Sequence, residues 1–275
     1  MHITCSIDLD ELCVRDPHAR ICASLDRVWI LHGDRALAYR SKDLVPEGEV
    51  VFPLAMDSIC CSDSQLVGIG RAGCFASSDF GEAVSIDANL WSDPYDRFCV
   101  KDGTFWAVSS DAELVGVDLE RRVVRERVAL GAGWGGGSFS TFAGTTVVAV
   151  AVGMDARRAI YDVPSRTLVD ASGDEYPVGL WGNDLVCSAA DLIVLLPSGR
   201  EARRFSSAPF FTSSAEHAGG LVLFGPDGMF ALNKLGVEHR EMKDGTTRTP
   251  LHGCSVRGAV LVTLREGALV RIEGL

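Results

Sequence analysis

The chain has 275 residues, 47% of them apolar, and a formal charge of −11 from 37 acidic and 26 basic side chains. No run approaches the length of apolar sequence that a membrane-spanning helix needs, which excludes that class of segment. The acidic balance speaks against sequence-independent binding to nucleic acid or to an anionic membrane, since both reward a basic surface.

In chain order, residues 2–9 read first as a strand that precedes any complete repeat. The same N-terminus lacks a basic region followed by an apolar run, so no secretory signal is expected and a cytoplasmic location is the simplest reading. Apolar strands then begin at Val28, Leu66, Phe105, Val147, Leu185, Leu221 and Val260, with gaps of 38, 39, 42, 38, 36 and 39 residues. Each is followed by a tight polar turn, a second apolar strand, a short connection and a third. The third repeat shows the unit most clearly, as strands over 97–101, 104–109, 113–118 and 123–130. Its central turn is Ser110-Asp111-Ala112, and His32-Gly33-Asp34, Arg71-Ala72-Gly73, Pro226-Asp227-Gly228 and Arg265-Glu266-Gly267 occupy the same place in other repeats. Gly and Asp suit these positions because hairpin turns call for positive φ. The recurring Asp34, Asp111, Asp155, Asp191 and Asp227 are therefore read as turn formers. After the third strand of the last repeat, 268–272, only Glu273, Gly274 and Leu275 remain, so that repeat lacks an outer strand.

Strand repeats with a period near 39 residues predict β-propeller blades, because one small sheet cannot bury both of its faces alone. The expected fold is an all-β, seven-bladed β-propeller of four-stranded blades forming a single domain over residues 1–275. Blades should start near residues 20, 57, 97, 137, 176, 209 and 251, and residues 2–9 should complete the last one. Such closure removes exposed strand edges. Helices should be nearly absent. Over its whole length the chain resembles seven-bladed propellers of the WD-repeat and quinoprotein-like type. The resemblance is carried by Phe105-Trp106-Ala107-Val108-Ser109-Ser110-Asp111 with Leu114-Val115-Gly116-Val117-Asp118, and by Ala159-Ile160-Tyr161-Asp162-Val163. Tyr161-Asp162 stands where a WD-repeat carries Trp-Asp. No Gly-His dipeptide occurs and the quinoprotein tryptophan signature is not repeated, so the resemblance implies architecture without a residue-level activity.

The nine cysteines, Cys5, Cys13, Cys22, Cys60, Cys61, Cys74, Cys99, Cys187 and Cys254, include no Cys-x-x-Cys pair. An odd number without metal-type spacing argues for neither a disulfide framework nor a zinc site. Cys22, Cys60, Cys61, Cys99 and Cys254 precede the repeated apolar strands, where small reduced side chains fit the crowded axis.

Chemical motifs are sparse. Gly131-Ala132-Gly133-Trp134-Gly135-Gly136 matches a dinucleotide-binding pattern, but strand sequence follows where that pattern needs a helix. The histidines His18, His32, His217 and His252 fall in different repeats and could converge only through the fold. No metal, cofactor or catalytic residue is therefore assigned. The loops between blades are richer. They place Trp91, Asp93, Tyr95, Asp96, Trp134, Asp174, Glu175 and Tyr176 on adjacent blades at one rim, as aromatic anchors in an acidic surround. These residues point to a non-enzymatic protein-binding propeller, monomeric, that engages a basic protein partner. A scaffold subunit and an immunity-type partner that neutralises a toxin both fit. The alternative is a hydrolase or lyase with its site at the axial opening, which would require a roomy polar cavity with converging titratable groups.

Overall fold

The computed structural model describes residues 2–62, 64–71, 73–86, 99–109, 113–130, 139–143, 147–152, 157–173, 175–206, 208–240 and 250–274. These residues form seven four-stranded antiparallel sheets. Blade 1 runs through Ile21–Ala23, Arg27–His32, Arg35–Arg40 and Pro46–Val51, and later blades repeat this meander. The first strands, Ile21–Ala23, Ser58–Cys61, Cys99–Lys101, Phe139–Ala143, Tyr176–Trp181, Ser213–His217 and Pro250–Val256, are sequential neighbours, and the last returns to the first. All-β propeller architecture with four-stranded blades is thus what the repeat encodes.

Packing explains why the repeat is so visible. Seven buried clusters each join two adjacent blades. Trp29, Leu31, Ala36 and Phe52 of blade 1 meet Met56, Ile59 and Leu66 of blade 2, for instance. Phe224 and Met229 of blade 6 meet Val260, Val262 and Val270 of blade 7. A second strand is covered on both faces, so it reads as an unbroken apolar run such as Val28-Trp29-Ile30-Leu31, every residue of which is buried. Close approach also requires small residues. A Cβ on Gly253 would lie 2.2 Å from the Phe224 ring, so blade 7 can seat against blade 6 only with glycine there.

The ring is closed by residues of both termini. The closing strand, His2–Asp8, pairs antiparallel with Ala268–Glu273 at the outside of the seventh sheet. Its register slips between Ile3 and Cys5. That bulge turns Ile3 towards the cluster shared with blade 6, while Cys5 and Ile7 face the cluster shared with blade 1. One strand therefore fills gaps on both sides of its blade. Two short helices, α1 (Glu11–Arg15) and α2 (Pro17–Arg20), connect it to blade 1. None of the helices is long and apolar enough to cross a membrane, among the described residues.

The Tyr161-Asp162 step is structural. The Tyr161 hydroxyl donates to Glu126 of blade 3 and its ring tilts against Trp106 at 5.8 Å. Asp162 accepts from the Ser165 hydroxyl in the following turn. The Gly-rich 131–136 segment lies outside the described residues.

All nine cysteines are free. Cys60 is buried, whereas Cys22, Cys61, Cys99 and Cys254 are only half-buried beside the axis, a looser fit than full burial as spacers. Desolvation still pushes the Cys22, Cys60, Cys74 and Cys99 thiols upward, and Cys187 and Cys254 to about 12. Thiolates are scarce at neutral pH under such conditions. Mass analysis after alkylation should show all nine thiols modified in unfolded protein without reductant, with Cys13, Cys60, Cys74 and Cys187 protected in the native state. A disulfide in the native protein would contradict this packing.

Candidate functional site

An antiparallel meander sends its turns alternately to two rims. One rim collects the turns between second and third strands and the connections between blades, and the other collects the remaining hairpins. Of the residues assigned to the first rim from sequence, Trp91, Asp93, Tyr95, Asp96, Trp134 and Asp174 lie outside the described residues. Glu175 and Tyr176 are described, and they behave differently.

Glu175 turns inward. Its Oε2 lies 3.5 Å from Nη2 of Arg158, whose side chain is only 6% exposed, against 20% for Glu175 itself. Arg158 comes from the third strand of blade 4, Arg157–Asp162, and also hydrogen-bonds the Cys187 thiol on blade 5. The carboxylate is thus engaged with a buried guanidinium between two blades.

Tyr176 opens the first strand of blade 5, and its ring meets Phe210 at 6.3 Å. Phe210 is 45% exposed. It belongs to the connection between blades 5 and 6, which passes so close to blade 6 that a Cβ on Gly225 would sit 2.2 Å from the Phe210 carbonyl oxygen. The next residue, Phe211, points the opposite way, fully buried and edge-on to Phe230 at 5.3 Å. Its N–H donates to Ser188 Oγ at 3.0 Å, which fixes the connection and with it Phe210. Leu12 and Leu54 are further exposed apolar residues on connections at this rim. The same rim exposes Glu11, Asp34 and Asp227, along with Arg71 and Arg265.

The opposite rim has another character. Its axial mouth is a cavity of about 440 Å³ lined by Ser24, Ser62, Ser64 and Ser255 with Cys61 and Asp102. Between blades 5 and 6 lies a groove of about 400 Å³ bordered by Trp181, His217, Lys234 and Arg240. The Trp181 indole donates to Gly219 O at 3.2 Å.

The histidines do not converge among the described side chains. His32 ends a second strand and meets Asp10, with Nδ1 2.7 Å from Oδ2. His217 borders the groove on the opposite rim, and His252 Nε2 lies 3.2 Å from Cys254 Sγ on a first strand of blade 7. The side chain of His18 lies outside the described residues.

No protein-family model matches the chain, and no curated protein does. Solved structures do resemble it. The WD40 domain of Neurospora crassa Pan2 superposes with a TM-score of 0.71 at 10% identity, over 98% of this chain and 97% of that one. A chain of the mitotic checkpoint complex gives 0.73 at 10% identity, over 99% and 92%. BamB from Moraxella catarrhalis gives 0.65 at 10% identity, over 94% and 85%. At this identity the likeness is one of β-propeller fold.

Proposed function

We propose that the protein is a non-catalytic propeller that binds another protein, using the rim that carries the connections between blades, and that its partner is basic. The observation carrying this reading is Phe210. An aromatic side chain 45% exposed, backed by Tyr176 and held by a buried neighbour, is a preorganised anchor. Exposed carboxylates at Glu11, Asp34 and Asp227 on the same rim favour a basic partner. Membership of a propeller of the same fold in the mitotic checkpoint complex is consistent with a role in assembly. A scaffold and a toxin-neutralising partner would both use such a face. The rival reading, a hydrolase or lyase, places its site at the axial mouth, whose described lining includes Ser24, Ser62, Ser64 and Ser255 with Cys61 and Asp102. A hydrolase or lyase would need converging titratable groups there.

Capture from native lysate with mass-spectrometric identification tests the reading. One stoichiometric basic protein should be recovered. Truncating a central aromatic anchor typically costs about 2 kcal/mol or more, roughly thirtyfold in Kd. Phe210→Ala, Trp91→Ala and Trp134→Ala should each weaken capture to that degree while the protein melts as before. Neutralising Asp93, Asp96 and Asp174 should slow association and flatten its salt dependence. Capture that survives all of these changes would move the interface to another face.

A further inference from the structure

Three donors of metal-ligand type, from three stretches of chain, meet where the closing strand hands over to blade 1. Asp10 follows that strand and caps α1, its Oδ1 accepting the Cys13 N–H at 2.7 Å. Its Oδ2 lies 2.7 Å from Nδ1 of His32, the last residue of blade 1's second strand. Cys13 points inward from α1 and is fully buried, with Sγ 3.5 Å from the Leu31 carbonyl oxygen. One donor atom from each of the three residues lies within 4.8 Å of the other two.

We propose that Asp10, Cys13 and His32 bind a zinc-class divalent cation, with water completing the shell, and that the bound ion ties the closing strand to blade 1. Thiolate, imidazole and carboxylate are the ligand types zinc takes, and three protein ligands plus water is an ordinary four-coordinate arrangement. With normal bond lengths, such donors stand about 3.4–3.6 Å apart on a tetrahedral centre. The Asp10–His32 contact therefore opens by about 0.7 Å, and the widest separation closes by at most about 1.2 Å. Small side-chain rotations supply both shifts. Asp10 is exposed and His32 half-buried, so the fourth position faces solvent. Charge also balances. The dication meets one carboxylate and one thiolate, and the thiol proton leaves to water on binding. Ordinary helix capping accounts for one bond of Asp10 but not for the imidazole at its other carboxylate oxygen, nor for the thiol within 4.8 Å.

The test titrates metal-free protein with Zn²⁺ against a chromophoric chelator, and with Co²⁺ followed by absorption. One equivalent should bind, with a thiolate-to-cobalt charge-transfer band. The melting temperature should rise by roughly 5–10 °C at a hundredfold excess over Kd. Cys13→Ser should abolish the band. Asp10→Asn, which preserves the helix cap, and His32→Gln, at the end of a strand, should each weaken affinity at least about tenfold. Both should still melt cooperatively without metal. Absence of stoichiometric uptake overturns the proposal, as does a cobalt band that persists in Cys13→Ser because thiols near the axis supply it. Uptake unchanged in both Asp10→Asn and His32→Gln overturns it too, and that readout stands even if Cys13→Ser does not fold.

Discussion

Deleting residues 2–9 should abolish the cooperative melting transition and leave a chain that aggregates. The segment places Ile3, Cys5, Ile7 and Leu9, all half-buried, against clusters on both sides of the seventh blade. Half-burial of such side chains is worth about 1 kcal/mol each. The deletion also removes the hydrogen-bonded ladder to Ala268–Glu273 and the Thr4 hydroxyl that accepts from Nη1 of Arg271. Arg271 is buried, so the loss reaches beyond the strand edge. Together these terms approach the net stability of a typical domain, about 5–15 kcal/mol. Leu269, Val270 and Ile272 would then line an unpaired edge, the arrangement that templates aggregation. Circular dichroism melting and size-exclusion chromatography give the answer directly. A soluble, monodisperse deletion variant with unchanged melting would show that closure by this strand contributes little.

Legibility in the sequence follows from how many faces of an element are buried. Second strands, covered on both sides, appear as apolar runs at a fixed period, and each repeat can be located from them. The closing strand is legible as a segment with no blade beside it, answering a last repeat that lacks its outer strand. The short helices were less obvious in an all-strand pattern. Their signals are local: Asp10 caps α1, and Pro17 stands in the first turn of α2 after Asp16. The rim is harder to read. Phe210 and Phe211 look alike in sequence, yet one is exposed and the other a core residue. Successive residues of an extended connection point to opposite sides, so the Phe-Phe pair after Pro209 could have suggested one outward ring. Asp10, Cys13 and His32 are spread over a helix cap, a helix and a strand end, and no local spacing connects them. Glu175 reads from sequence as a partner-binding rim acid, because Arg158, which pairs with it, comes from a separate strand.

That contact separates two roles for Glu175, and the outcome should favour the fold. Removing one partner of a buried ion pair typically costs about 3–5 kcal/mol, because the remaining charge loses its compensation. Glu175 keeps 20% exposure and stands 3.5 Å from Arg158, so Glu175→Ala belongs at the lower end, about 3 kcal/mol. Urea unfolding should show a lower midpoint with an unchanged slope, the sign of lost stability without altered compactness. Replacing both residues, as Arg158→Met with Glu175→Leu, should recover most of the loss, since apolar side chains of similar volume remove the desolvation penalty together with the attraction. Cys187, which loses a guanidinium neighbour in that variant, is already buried and tolerates an apolar one. Asp174→Asn, one residue away, provides the contrast: a slower association with the basic partner at unchanged stability. If instead Glu175→Ala unfolds at the parent's midpoint and captures its partner more slowly, then Glu175 acts as a rim charge, and the buried Arg158 is held by its other neighbours.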